Sequence, residues 1–219
     1  MLFRDRRQAG RELAEELRKL QDGGDLPDPV VLALPRGGVP VAREVAHALH
    51  APLDVLVVRK IGAPHHEEYG VGALAGDGEP LYDGAALDRL GLGPDDLAPV
   101  AERERTELRR REQRYRQGRP APEVRGRTVI VVDDGLATGS TARAALRALR
   151  RRAPARTVLA VPVGAPEAAR ALRSEADLVV CPHRPDTFMA VGQWYDDFEQ
   201  LTDDDVLDAL HAGRTVGRG

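Results

Sequence analysis

Five short runs of aliphatic residues, separated by segments of helical or turn-rich character, constrain the fold of this chain most strongly. The runs are PVVLALP, LDVLVVRK, GRTVIVVDD, ARTVLAVPVG and ADLVVCP. Continuous apolar runs of this length are typical of strands that are buried on both faces. Amphipathic stretches such as VPVAREVAHALH and STARAALRALRRR lie between them and predict helices. This alternation predicts an α/β fold in which helices flank a mainly parallel sheet.

The composition fits one core rather than several. The chain has 219 residues, of which 42% are hydrophobic and only 4% aromatic, so the core is expected to consist of Val, Leu, Ile and Ala. We assign residues 1–182 to the α/β core, which includes a strongly charged helix near 94–116, and residues 183–219 to a C-terminal tail.

Charge and cysteine content exclude several classes of partner. The net charge of −3 provides no general attraction for nucleic acid or an anionic membrane. The single cysteine, Cys181, excludes an internal disulfide, and no run reaches the ~18 apolar residues that a membrane span needs. The start of the sequence lacks a secretory signal pattern, so a cytoplasmic location is expected.

A pair of carboxylates and a loop rich in hydroxyls follow the third aliphatic run. Asp133 and Asp134 end that run, and the loop Ala137, Thr138, Gly139, Ser140, Thr141 leads into a predicted helix. The free N–H groups and the positive end of a helix suit a phosphate, and carboxylates accept hydrogen bonds from vicinal hydroxyls. The pattern therefore favours a sugar phosphate, and it is not a Walker loop because no Lys precedes Ser140. In the alternative interpretation, the acids merely end a strand and a hydroxyl caps the helix.

In this order, the aliphatic run, the two acids and the loop resemble the phosphoribosyl-pyrophosphate signature of the type I phosphoribosyltransferases. The FRDR…AG start also looks like an uncharacterised bacterial branch of that family. The resemblance implies the fold of these enzymes, a mainly parallel sheet flanked by helices with a small C-terminal hood, here residues 183–219. It also implies that Asp133 and Asp134 hold Mg²⁺.

Two further segments match the family before the signature. Arg36, Gly37 and Gly38 follow the first strand, where these enzymes carry a tight loop whose amides meet the pyrophosphate. Arg59 and Lys60 follow the second strand, where the family often has basic residues near the same group. Because the carboxyl ends of parallel strands share one edge, we expect these loops to lie across a cleft from Asp133.

The resemblance implies transfer of the 5-phosphoribosyl group from phosphoribosyl pyrophosphate to a nitrogenous base or similar acceptor, with Mg²⁺ and release of pyrophosphate. Such an activity belongs to nucleotide metabolism. The alternative is a regulatory protein that binds phosphoribosyl pyrophosphate without catalysis, as some family members do. The acceptor and the oligomeric state do not follow from the sequence, although the resemblance is compatible with a homodimer.

The candidate catalytic base comes from a second part of the resemblance. The hypoxanthine-guanine enzymes carry an Asp in the signature loop where this chain has Ala137. Adenine phosphoribosyltransferases instead present a Glu from a mobile loop in a Glu-Tyr-Gly context, which Glu68 matches here. The resemblance thus makes Glu68 the candidate catalytic residue, on a mobile loop near 63–70; the alternative is a solvated polar loop. The neighbouring His65 and His66 match no metal-ligand spacing.

The hood is expected to cover the acceptor. Trp194, the only tryptophan, lies beside Tyr195 and Phe198 in a chain with few aromatic residues. A planar acceptor ring would stack on Trp194, which we therefore include among the substrate-binding residues. In the alternative interpretation, Trp194 packs the tail against the core.

Overall fold

A computed structural model describes residues 2–64, 66–76 and 78–214, without the side chains of residues 67, 68, 213 and 214. Its strands are β1 (Pro29–Ala33), β2 (Leu53–Val55), β3 (Val58–Ala63), β4 (His66–Ala75), β5 (Leu81–Tyr82), β6 (Thr128–Val132), β7 (Arg156–Ala160) and β8 (Leu178–Val180). Its α-helices are α1 (Arg6–Asp22), α2 (Gly38–Leu49), α3 (Gly84–Leu90), α4 (Pro94–Arg116), α5 (Ser140–Arg150), α6 (Pro166–Ala171) and α7 (Asp203–Arg214). In the described part of the chain, no helix has both the length and the apolar character needed to cross a bilayer.

Five strands form one parallel sheet in the order β2-β1-β6-β7-β8. The predicted α/β fold is therefore confirmed. Along the centre of the sheet, Ala33 pairs with Val132 and Val132 pairs with Ala160. The three central strands thus end level with one another, and the segments that follow them leave the sheet at the same edge.

The alternation of side chains along the strands divides the core into two layers. On β6, Ile130 and Val132 face a cluster completed by α1, α2, α4 and α7. Val129 and Val131 face the opposite cluster, which α5 and α6 complete. Successive strand residues point to opposite faces, and both faces of the sheet are covered by helices. Every residue of β6 is therefore buried, as expected for a central parallel strand.

The segment LDVLVVRK, which we interpreted as one buried strand, forms parts of two strands. β2 joins the parallel sheet, whereas β3 pairs with β4 in a separate antiparallel sheet of order β3-β4-β5. A continuous apolar run does not reveal where a strand changes partner, because Leu56 and Val57 between the two strands are also buried. The prediction of a single strand was therefore wrong.

Most described residues of the loop predicted near residues 63–70 belong to strands. β4 begins at His66, and its pairing with β3 shifts register around Gly62. Bulges of this kind let a strand bend without losing its partner, and glycine is common at them. Ala63 and residues 66–70 thus belong to an antiparallel strand pair in this structure, and the mobility of the loop stays a prediction.

Two further parts of the chain differ from the sequence interpretation. Helix α3 was missed, although Asp83 caps its first turn by accepting a hydrogen bond from the N–H of Ala86, and Gly91 ends it at φ +64°. Helix α7 packs against α2, and its Val206 and Leu210 are fully buried in the core. The tail beyond residue 183 therefore contributes to the core as well as to the predicted hood.

Candidate functional site

The floor of the candidate site is formed where the segment after β1 touches the acids after β6. A Cβ atom at Gly37 would lie only 2.0 Å from Oδ2 of Asp134, and one at Gly38 would lie 2.6 Å from the carbonyl oxygen of Val132. Only glycine permits this approach, since a side chain at either position would overlap the acidic segment. Gly37 and Gly38 thus lie at the predicted edge of the sheet, but they pack directly against Asp133 and Asp134, whereas we expected a cleft between them.

The two carboxylates are poorly hydrated and close to each other. Burial, and then the charge of Asp134, raise the pKa of Asp133 well above its usual range. Burial also raises the pKa of Asp134, against the opposing effect of the Arg6 guanidinium. Among the described residues, Arg6 is the cation beside these two adjacent acids. The acids therefore favour binding of a metal ion, or of a ligand whose hydroxyl groups donate hydrogen bonds.

The loop of residues 137–141 presents backbone donors next to these acids. Gly139 adopts φ +74° immediately before α5, and a Cβ there would meet a methyl group of Leu172 at 2.9 Å. Among the described residues, the N–H groups of Thr138, Gly139 and Thr141 have no hydrogen-bond acceptor. Unpaired donors at the positive end of an 11-residue helix form a suitable site for a phosphate.

The β3–β4 hairpin adds a cation near this loop. Lys60 and Ser140 line the same cavity of about 470 Å³, which lies between the hairpin and α5. Lys60 is exposed and has no ion-pair partner within the described part of the chain. The structure therefore brings Lys60 together with the loop that follows β6.

The side chains of Arg59 and Arg36 contact other parts of the protein. Arg59 donates from Nε to Glu104 of α4 at 2.8 Å, so it fixes the hairpin to that helix. The guanidinium of Arg36 lies 3.9 Å from Asp203, which also accepts a hydrogen bond from Tyr115. A role in binding a ligand stays a prediction for both arginines.

The predicted hood is an aromatic cluster that includes the N-terminal segment. Phe3 and Tyr195 pack with partly buried Phe188, Val191, Trp194 and Phe198, and we call these six residues the hood cluster. The Trp194 ring stacks on Phe188 at a centroid distance of 6.1 Å. This packing fits the alternative interpretation, in which Trp194 packs the tail against the core. Contact between Trp194 and an acceptor stays a prediction.

The hood cluster is joined directly to the acids. The Tyr195 hydroxyl donates a hydrogen bond to the backbone oxygen of Asp134, and the Arg6 Nε donates to Asp134 Oδ2 at 2.9 Å. Sequence reasoning noted the FRDR start but missed this contact, which joins residues 128 positions apart. The candidate base Glu68 lies on β4, but its side chain lies outside the described residues, as does His65 altogether.

Comparisons with known proteins point to one family. The family described as "Phosphoribosyl transferase domain" matches residues 4–199. Proteins from two strains of Mycobacterium tuberculosis, CDC 1551 and H37Rv, are each provisionally named a phosphoribosyl transferase. Each is 44% identical to this chain over 213 residues, which is 96% of this chain and 47% of the relative. The chain therefore spans about half the length of the curated relatives it matches.

A solved structure shows the same likeness. A crystal structure of a protein from Thermus thermophilus has 47% sequence identity and a TM-score of 0.84, covering 96% of this chain and 98% of that one.

Proposed function

The chain belongs to the phosphoribosyl transferase family, and we propose that it transfers the 5-phosphoribosyl group of phosphoribosyl pyrophosphate to a nitrogenous acceptor, releasing pyrophosphate. One observation carries this proposal. The carboxylates of Asp133 and Asp134 pack against Gly37 and Gly38, next to a loop in which the N–H groups of Thr138, Gly139 and Thr141 have no acceptor in the described chain.

In this proposal each part of the site binds one part of the substrate. The N–H groups of Thr138, Gly139 and Thr141 hold the 5-phosphate, and Asp133 and Asp134 accept hydrogen bonds from the ribose hydroxyls. The backbone at Gly37 and Gly38 approaches the pyrophosphate. Loss of pyrophosphate leaves positive charge on the sugar, which the adjacent carboxylates stabilise.

The acids also fit a magnesium ion that arrives with the substrate. Among the described residues, no group of three or more His, Cys, Asp or Glu side chains is arranged to hold a metal by itself. Mg²⁺ is commonly bound by one or two carboxylates together with substrate phosphates and water, which matches Asp133 and Asp134. When bound, it supplies positive charge that offsets the charge of the departing pyrophosphate.

Glu68 completes the proposal as the group that takes a proton from the acceptor nitrogen. Its position on β4 places its backbone in the hairpin that also carries Lys60. General base assistance from a positioned carboxylate is an ordinary means of activating such a nitrogen.

A regulatory protein that binds the same substrate is the second candidate. It is favoured by Ala137, which places no proton acceptor in the signature loop. In this case the sugar-phosphate site is retained, and ligand binding controls a partner.

One experiment separates these functions. Calorimetry measures binding of phosphoribosyl pyrophosphate to the chain with Mg²⁺, and a coupled assay measures pyrophosphate release with a panel of purine, pyrimidine and other nitrogenous acceptors. We expect binding, and release with at least one acceptor. Tight binding without release for any acceptor supports the regulatory protein, and absence of binding contradicts both functions.

A further inference from the structure

We propose that Arg6 is a positioning residue that orients Asp134 for the ribose, an inference that rests on the proposed function. Arg6 opens helix α1, 128 positions away from Asp134 in the sequence. Neither the helix pattern nor the signature requires an arginine there, so its contacts carry the argument.

Three contacts fix the Arg6 guanidinium. Its Nε donates to Asp134 Oδ2 at 2.9 Å, its Nη1 donates to the backbone oxygen of Glu199 at 3.1 Å, and its Cζ lies 3.9 Å from the centre of the Phe198 ring. Its side chain is only 11% exposed, and that of Asp134 only 13%. A planar guanidinium satisfies such contacts simultaneously, whereas an ammonium group has no fixed fork of donors.

The contact determines which oxygens the acids offer. Asp134 Oδ2 is bound by Arg6 and lies against Gly37, so Oδ1 is its remaining oxygen. Asp133 Oδ1 accepts the N–H of Asp134 at 2.9 Å, so Oδ2 is its remaining oxygen. Each carboxylate thus keeps one oxygen that accepts no hydrogen bond from the described chain, and the pair of oxygens matches the two neighbouring hydroxyls of a ribose.

Arg6 also links the sugar site to the hood. Phe198 and Glu199 belong to the segment that follows a short 3₁₀ turn at Val191–Trp194. In the same segment, the Tyr195 hydroxyl donates a hydrogen bond to the backbone oxygen of Asp134. The signature acid is therefore held by the N-terminal helix on its side chain and by the hood on its backbone. Loss of Arg6 frees the carboxylate to rotate without removing any donor from the phosphate loop.

The test compares the binding of two ligands to a set of variants. Calorimetry with Mg²⁺ measures the Kd of phosphoribosyl pyrophosphate and of inorganic phosphate for Arg6→Gln, Arg6→Lys and a matched control, Arg7→Gln. Arg7 is the next residue of α1, is exposed and has no partner in the described chain. Thermal unfolding establishes that each variant is folded.

We expect Arg6→Gln to raise the Kd of phosphoribosyl pyrophosphate about 10- to 100-fold, the loss typical of one charged hydrogen bond. The Kd of inorganic phosphate stays within about twofold, because the phosphate loop keeps its donors. Arg6→Lys restores part of the affinity, and Arg7→Gln matches the parent protein. Asp134→Asn costs less affinity in the Arg6→Gln background than alone, because the two residues act together.

The outcomes separate this inference from the proposed function. If the parent protein does not bind phosphoribosyl pyrophosphate, the proposed function is wrong and the inference falls with it. If the parent binds it and Arg6→Gln binds it equally well, or loses both ligands equally, only the inference is overturned. If Arg6→Gln does not fold, Arg6→Lys decides: a selective loss of sugar-phosphate affinity supports the inference, and unchanged affinity overturns it.

Discussion

At Asp133, the proposed role in ligand binding conflicts with the stability of the free protein. Its pKa lies well above the ordinary value of 3.8 because burial and the neighbouring Asp134 disfavour its charge. The folded protein therefore holds this proton more tightly than the unfolded chain does. As pH rises above about 4, the proton is lost first from the unfolded chain, so the contribution of Asp133 to stability falls until the folded pKa is passed.

Replacing this carboxylate should consequently stabilise the free protein. We expect Asp133→Asn to raise the free energy of unfolding at pH 7 by about 0.5–2 kcal/mol, in the range of other stabilising substitutions at functional sites. Denaturant unfolding measures the change, which should shrink towards pH 4. The same variant should bind phosphoribosyl pyrophosphate more weakly. Asp186→Asn, at an exposed carboxylate, is the control. A lower stability of Asp133→Asn at pH 7 would contradict this account of the residue.

At the scale of elements, the hairpin of β3 and β4 is held beside the candidate site by tertiary contacts. Arg59 ties it to α4 through Glu104, while Lys60 faces the cavity that it shares with Ser140 of α5. The parallel strands followed from their apolar runs, because burial on both faces leaves a local pattern. The split between β2 and β3 did not, since the change of partner depends on a second sheet formed by distant residues.

The proposed base on this hairpin can be tested against its neighbour. With an acceptor identified, we expect Glu68→Gln to lower turnover by about 10²–10⁴, the usual contribution of general acid–base catalysis. The Kd of phosphoribosyl pyrophosphate should stay nearly unchanged, because the base acts on the acceptor. Glu67→Gln, one position away on β4, should retain turnover. Full turnover of Glu68→Gln would remove Glu68 from the mechanism.

At the scale of the whole molecule, the N-terminal segment meets the hood cluster beside the site. The N–H groups of Leu2 and Phe3 donate to the backbone oxygen of Trp194, and the N–H of Asp196 donates to that of Phe3. The acids and the loop of residues 137–141 could be identified from the sequence as candidates because those residues are contiguous. The hood cluster and Arg6 depend on contacts between residues that are far apart in the sequence, which no local pattern reveals.

The central claim is that the acids after β6 and the loop before α5 together form a site for phosphoribosyl pyrophosphate. A crystal structure of the chain with this substrate and Mg²⁺ tests it most directly. The account predicts the 5-phosphate within hydrogen-bond distance of the N–H groups of Thr138, Gly139 and Thr141, with the ribose hydroxyls on Asp133 and Asp134. A substrate bound elsewhere, for example in the cavity of about 620 Å³ beside Arg7 and Arg43, with the loop left empty, would contradict it.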